Sequence, residues 1–216
     1  MKVVSFDLDG TLVTDEFSQM VWHQGIPELY VEHYGCDYDE AKHFIVQEYN
    51  KVGDKALEWY NIHYWLTQFK LDGNWENLFQ RFTHLIKAYP EVPEVLSSLR
   101  RASYQLIITS NAAREFLETE IEKAQLTPFF DYAFSATSDF REVKKTADFY
   151  QRICTLLHIH HTQIIHVGDH FEFDYLIPRS LGIRSFFLDR KGTGEGSAIV
   201  KDLREFINKL YYHNGI

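Results

Sequence analysis

The sequence predicts an α/β protein: a doubly wound parallel sheet covered by helices on both faces, with an all-helical domain inserted after the first strand. Three observations carry this. From residue 90 onward, short apolar runs alternate with helix-periodic segments, the pattern of a parallel sheet buried on both sides. Acids and small polar residues follow directly on the ends of those runs, where open α/β sheets bind ligands. Residues 15–89 carry apolar residues at helical spacing and no convincing β run.

In chain order, Val3-Val4-Ser5-Phe6 is β-branched and aromatic and reads as the core of a buried strand over 2–7, which Gly10 ends. In the helical stretch, Trp59, Ile62, His63 and Leu66 share one face, as do Leu78, Phe82, Leu85 and Ile86. Gly25-Ile26-Pro27, Gly35, Gly53 and Leu71-Asp72-Gly73-Asn74 punctuate it into four or five helices. All four tryptophans lie there. Residues 94–101 read as a helix beginning beside Pro93. A strand follows at 105–109, ending at Ser110-Asn111, then a helix at 114–124 and a short strand at 132–135. A helix at 146–157 precedes a strand at 163–167 that ends at Gly168-Asp169. A short helix closes at Gly182, a fifth strand spans 184–188, and 191–196 is a glycine-rich surface loop without the lysine and Ser/Thr of a nucleotide P-loop. Residues 199–210 read as a final amphipathic helix.

At 216 residues and 45% hydrophobic, the chain can build a sizeable core. A net charge of −9 argues against a nucleic-acid polymer or an anionic membrane as partner. Cys36 and Cys154 read as thiols in a reducing compartment. Met1-Lys2 leads straight into the first strand and no apolar run is long enough to span a bilayer, so the expectation is a soluble, cytoplasmic protein. His158, His160 and His161 read as an exposed helix end and loop, with no nearby carboxylate or cysteine to complete a metal site.

The chemistry gathers at strand ends: Asp7 with Asp9, Ser110, Lys144, and Asp169 with Asp174. Two acids as close as Asp7 and Asp9 resist ionising together unless a cation separates them, so the pair predicts a hard-metal site, a nucleophile with an acid/base, or both. Each group alone has an ordinary structural reading as a turn residue, a helix cap or a solvated lysine. Together they supply one residue type for each task of phosphoryl transfer: a nucleophile, a proton donor, oxygen ligands for Mg²⁺, a cation and a hydroxyl for the phosphoryl oxygens.

These residues resemble the motifs of the haloacid dehalogenase superfamily, and of its phosphatase branch. Asp7-Leu8-Asp9-Gly10-Thr11 is similar to its first motif and Ser110-Asn111 to its second. The third is a lysine before a helix, followed by proline and, six residues on, an aromatic; Lys144 with Tyr150 fits it, although Lys145 stands where the proline belongs and is the next candidate. Gly168-Asp169 with Asp174 is similar to the fourth. The resemblance implies a Rossmann-like catalytic core at 1–14 and 90–216, with a helical cap at 15–89. It implies Asp7 as nucleophile, forming an aspartyl-phosphate, and Asp9 as general acid then base. Ser110, Asn111 and Lys144 would bind the substrate phosphate, and Asp7, Asp9, Asp169 and Asp174 would hold Mg²⁺, Asp9 through its backbone carbonyl. The implied activity is hydrolysis of a small phosphorylated metabolite, with a phosphomutase or a catalytically idle binding member as alternatives. Asp9 and the Gly-Asp motif argue against dehalogenation, which needs neither an acid nor a metal.

Overall fold

The computed structural model describes residues 2–71 and 74–212, and they form a six-stranded, all-parallel sheet in the order β3-β2-β1-β4-β5-β6. The strands are β1 (Val3–Phe6), β2 (Gln105–Ser110), β3 (Tyr132–Ser135), β4 (Ile164–Gly168), β5 (Arg184–Leu188) and β6 (Ile199–Val200). β1 lies in the middle, every residue of it buried, because side chains on both faces meet helices. Val4 and Phe6 face α6 (Val92–Arg101) and α11 (Leu203–Tyr212), packing with Leu96, Leu99 and Phe206. Val3 faces the other way, against Phe149 and Ile153 of α9 (Ala147–Leu156). The chain reverses strand order at β1, so the β1/β2 and β1/β4 loops open into one crevice at the carboxyl end of the sheet.

The segment between β1 and α6 is helical: α1 (Glu16–Met20), α2 (Ile26–Tyr34), α3 (Tyr38–Val52), α4 (Ile62–Gln68) and α5 (Trp75–Phe82), with a 3₁₀ turn at Leu57–Tyr60. Asp37, Asn61 and Asn74 accept backbone N–H groups at the starts of α3, α4 and α5. Gly35, at φ 67°, ends α2. Phe17, Val21, Ile45, Trp65 and Phe79 form a separate apolar cluster that also takes in Phe116 of α7 (Arg114–Lys123), which joins the helical segment to the sheet layer. Of the Leu71-Asp72-Gly73-Asn74 break, Asp72 and Gly73 lie outside the described residues.

Three elements differ from the sequence expectation. Trp59 does not share a helix with Ile62, His63 and Leu66: it lies in the 3₁₀ turn, and α4 begins at Ile62, after Asn61. Gly25-Ile26-Pro27 does not interrupt the helix. α1 continues through a π-helical turn, Val21–Gly25, into α2. Pro27 cannot donate a helical hydrogen bond, and the wider turn just before it accommodates that loss. At the other end, Ile199 and Val200 are a strand paired with Phe187 and Leu188, and the helix begins only at Leu203. Ile199, Leu203, Phe206 and Leu210 fall at helical spacing, which hides a two-residue strand. Two short α-helices complete the sheet layer, α8 (Ala136–Asp139) and α10 (Ile177–Ser180), the second preceded by a π-helical turn, Phe171–Leu176, that carries Asp174.

The loop after β1 is pinned from β5. Arg190 donates to the Gly10 carbonyl at 2.9 Å, to the Thr11 carbonyl at 2.7 Å and to Glu91 at 2.8 Å, and lies 3.4 Å from the centre of the Tyr89 ring. This planar fork satisfies two carbonyls that the turn leaves without helical partners. Arg190→Ala is expected to cost about 2 kcal/mol in urea unfolding, and Arg190→Lys to recover only part, because an ammonium cannot span both carbonyls. Equal stability of Arg190→Ala and the parent would show that the clamp is dispensable.

Candidate active site

The site grows out of the turn after β1. Asp7 still belongs to the sheet, its N–H donating to the Val167 carbonyl at 3.0 Å, and the chain then folds back so that Leu12 N–H reaches the Leu8 carbonyl at 2.8 Å. Gly10 has φ +73°, and a Cβ there would lie 2.1 Å from a carboxylate oxygen of Asp169. Only glycine therefore lets the β1 and β4 loops approach this closely. At Gly168 a Cβ would lie 2.4 Å from the Asp174 carboxyl carbon, so the same rule brings Asp174 against the end of β4.

Lys145 occupies the centre. Its ammonium is buried, 2.5 Å from Asp7 and 2.5 Å from Asp174, and donates also to the Thr109 carbonyl at 3.2 Å. The backbone that carries it is held by Asn111, whose side-chain oxygen accepts the Lys145 N–H at 2.8 Å. Beneath it a polar chain crosses the sheet: Thr109 to Ser5 at 2.9 Å, Ser5 to His166 at 2.9 Å, and His166 to Asp174 at 3.0 Å. The second Asp174 oxygen accepts the His170 N–H at 3.0 Å. Each buried polar atom of this chain thus has a partner.

The electrostatics separate the four aspartates. Burial alone would raise Asp174, but Lys145 and the His166 hydrogen bond overrule it and hold the carboxyl far below the usual range. For Asp7, burial outweighs the attraction of Lys145 and the group is raised. Asp9 is pushed up to about 7, by burial first and then by the Asp7 charge, with Ser18 donating to it at 3.3 Å. Asp169 is pushed up to about 8 by burial and by the charges of Asp7 and Asp174. Carboxylate oxygens of Asp7, Asp169 and Asp174 lie within 4.8 Å of one another. An oxygen-only donor set with two of its carboxyls resisting ionisation suits a hard divalent cation, and these residues fit one.

Ser110 ends β2, buried, with its hydroxyl accepting the Ala112 N–H at 3.0 Å. Ser110, Asn111 and Lys144 all border the cavity above the aspartates, about 420 Å³ in volume. Lys144 does not reach the carboxylates. Its ammonium lies over the Tyr60 and Phe173 rings, 5.1 and 5.6 Å from their centres, and 3.8 Å from Asp54. The lysine between the aspartates is therefore Lys145, where the sequence-based choice is Lys144; the Lys145 N–H bond to the Asn111 side chain fixes which of the two neighbours turns inward. Asn111 binds this backbone, where the sequence reading assigned it to phosphate.

A haloacid dehalogenase-like hydrolase family model matches residues 1–182. The chain belongs to that family. Among curated relatives of this chain, the GMP/IMP nucleotidase YrfG of Escherichia coli is 27% identical over 139 residues, 62% of this chain and 60% of its own length. The chain thus aligns with less than two thirds of that relative. A phosphoglycolate phosphatase of Vibrio vulnificus is 24% identical over 96% of this chain and 91% of its own. In fold, the chain matches a HAD phosphatase from Thermococcus onnurineus with a TM-score of 0.83 at 23% identity, covering 97% of this chain and 98% of that one. A 2-haloacid dehalogenase from Pseudomonas syringae shares the fold with a TM-score of 0.69 at 18% identity, over 98% and 99% of the two chains. Among the described residues, no helix is long and apolar enough to cross a membrane.

Several site residues escape sequence reasoning. His166 was visible as a polar residue inside an apolar strand. Glu120 of α7 was visible as an acid one turn beyond Phe116, on the buried face of the helix. It is fully buried beside Asp9, and neither carboxyl oxygen makes a hydrogen bond of ordinary geometry. Burial, and next the Asp9 charge, raise its pKa well above the usual range. A carboxyl raised by folding contributes stability below its unfolded value, and that contribution is lost as pH rises toward the folded value. Glu120→Gln removes the ionisation and gives Asp9 an amide donor. The variant is expected to melt higher than the parent at pH 8, by about 2–4 °C for each kcal/mol recovered, with the gain shrinking toward pH 5. A gain that is equal at both pH values, or larger at pH 5, would contradict a buried neutral Glu120.

Proposed function

We propose that this chain is a Mg²⁺-dependent phosphatase that hydrolyses a small phosphate monoester through an aspartyl-phosphate on Asp7. The observation that carries the reading is the Lys145 ammonium lodged between Asp7 and Asp174, with Asp9 alongside and protonated up to about pH 7. The proposal takes 1–14 and 90–216 as the catalytic core and 15–89 as a cap, and the protein as a cytoplasmic enzyme with free thiols at Cys36 and Cys154. The named activities of the nucleotidase and phosphatase relatives agree with it.

In this mechanism Asp7 attacks phosphorus and the bond to the ester oxygen breaks. Asp9 gives its proton to the departing oxygen, a role suited to an acid poised near neutrality. Asp9 then takes a proton from water, the water oxygen attacks phosphorus, and the bond between phosphorus and Asp7 breaks to release phosphate. Lys145 and the Ser110 hydroxyl hold the phosphoryl oxygens. Asp7, Asp169 and Asp174 would hold Mg²⁺, which when bound offsets the repulsion between the Asp7 carboxylate and the phosphate dianion. Thr11, whose hydroxyl donates to Asp7 at 3.3 Å, orders the loop.

Hydrolysis is favoured over phosphomutase chemistry by the cavity wall. Among its described residues, 15–89 contribute aromatic side chains, Asp15, Ser18, Gln19 and His23 but no lysine or arginine to retain a second phosphate. The test is turnover of a panel of phosphate monoesters by the parent, Asp7→Asn, Lys145→Met and Lys144→Ala, with Mg²⁺ and with chelator. Turnover is expected to need Mg²⁺, to vanish in Asp7→Asn and to fall at least about a hundredfold in Lys145→Met, while Lys144→Ala keeps the hydrolytic chemistry. Activity that persists in chelator, or that depends on Lys144 and not on Lys145, would defeat the assignment.

A further inference from the structure

Above the aspartates the cavity has an aromatic wall that catalysis does not use. Trp22 contributes from the π-helical turn of the helical segment. It is stacked on Phe116 at 5.2 Å and 24°, and its carbonyl accepts the Tyr49 hydroxyl at 3.2 Å. Opposite in sequence, the 3₁₀ turn Leu57–Tyr60 brings in Trp59 and Tyr60, ring centres 4.9 Å apart at 63°. These two rings belong to none of the buried apolar clusters among the described residues, so packing the helical segment does not account for them. They are nevertheless held in place. The Trp65 indole N–H donates to the Trp59 carbonyl at 3.3 Å, and the Tyr60 hydroxyl donates to the Asp54 carbonyl at 3.1 Å. Rigid, half-exposed aromatic surface facing a cavity is a stacking platform.

The charge of the wall narrows the occupant. Among the described residues, Lys144 is the one lysine or arginine on the cavity lining away from the carboxylates, and it is already engaged by two rings and by Asp54. Among the described residues, a second anionic group beyond the scissile phosphate would meet Asp15 and no lysine or arginine without a partner. A short acid such as glycolate would also leave the aromatic wall uncovered.

We propose that the leaving group carries a flat, uncharged ring system, the base of a nucleoside or an aryl ring, seated against Trp22, Trp59 and Tyr60. This deepens the phosphatase reading and rests on it for turnover, though not for binding. The test compares kcat/KM for a purine nucleoside 5′-monophosphate, 4-nitrophenyl phosphate, glycerol phosphate and phosphoglycolate in the parent, Trp59→Ala and Trp59→Phe. The ring-bearing esters are expected to be the better substrates. Trp59→Ala should lower kcat/KM for them about tenfold and for the other two less than twofold, with Trp59→Phe restoring most of the loss. The difference between the first two esters distinguishes a nucleoside from an aryl group. Preference for phosphoglycolate, or an equal loss on all four esters, would overturn the proposal. A parallel titration follows tryptophan fluorescence of Asp7→Asn with the nucleoside monophosphate. Saturable quenching that Trp59→Ala abolishes supports the pocket even if no ester turns over. Hydrolysis of the small esters with no quenching and no nucleotide turnover removes the pocket and leaves the phosphatase reading intact.

Discussion

A single buried ammonium organises this end of the molecule. Lys145 is expensive to bury, and so are Asp7 and Asp174; each is tolerated because the other two are there. The triad ties the ends of β1 and β4 to the segment before α9, and the Asn111 side chain ties that segment to β2. Removing Lys145 would leave two buried carboxyls without their cation, so the site and the local fold are one construction. The polar chain from Thr109 through Ser5 and His166 to Asp174 extends the same logic into the sheet, where an unpaired group would be costly.

The arrangement separates the acids by environment. All four aspartates come from the loops after β1 and β4, yet Asp174 is held ionised by Lys145 and His166, while Asp9 and Asp169 are pushed toward neutrality. Such divergence among neighbouring carboxyls is how one cluster can hold a cation and also donate a proton. The helical segment adds a different kind of surface. It brings aromatic rings and an acid to the cavity, and the positive charge there comes from the sheet layer.

Much of this was legible in the sequence because the strands of a doubly wound sheet are continuous apolar runs. β1, β2, β4 and β5 could be read off directly, and the acids at their ends located the crevice. β6 could not, since two β-branched residues fit a helical repeat equally well. The pair Lys144-Lys145 was not resolvable either. Which lysine points inward depends on the hydrogen bond that the Lys145 N–H donates to Asn111, 34 positions away, and no local pattern encodes it. Trp59 falls at helical spacing with Ile62, His63 and Leu66 and so reads as part of one helical face, while Tyr60 carries no such signal. In the structure Trp59 and Tyr60 lie in a separate 3₁₀ turn. Arg190 and Glu120 act through tertiary contacts alone, although an acid on the apolar face of α7 was a visible irregularity.

The central claim is that Asp7 accepts the phosphoryl group while Asp9 handles the proton. It is tested most directly by quenching Asp9→Asn in acid during incubation with substrate and Mg²⁺, then mapping the adduct by peptide mass spectrometry. The account predicts a phosphoryl group on the peptide carrying Asp7, accumulating in Asp9→Asn because water is no longer activated, and absent from Asp7→Asn/Asp9→Asn. An adduct on any other residue, or full turnover by Asp9→Asn with no adduct at all, would contradict it.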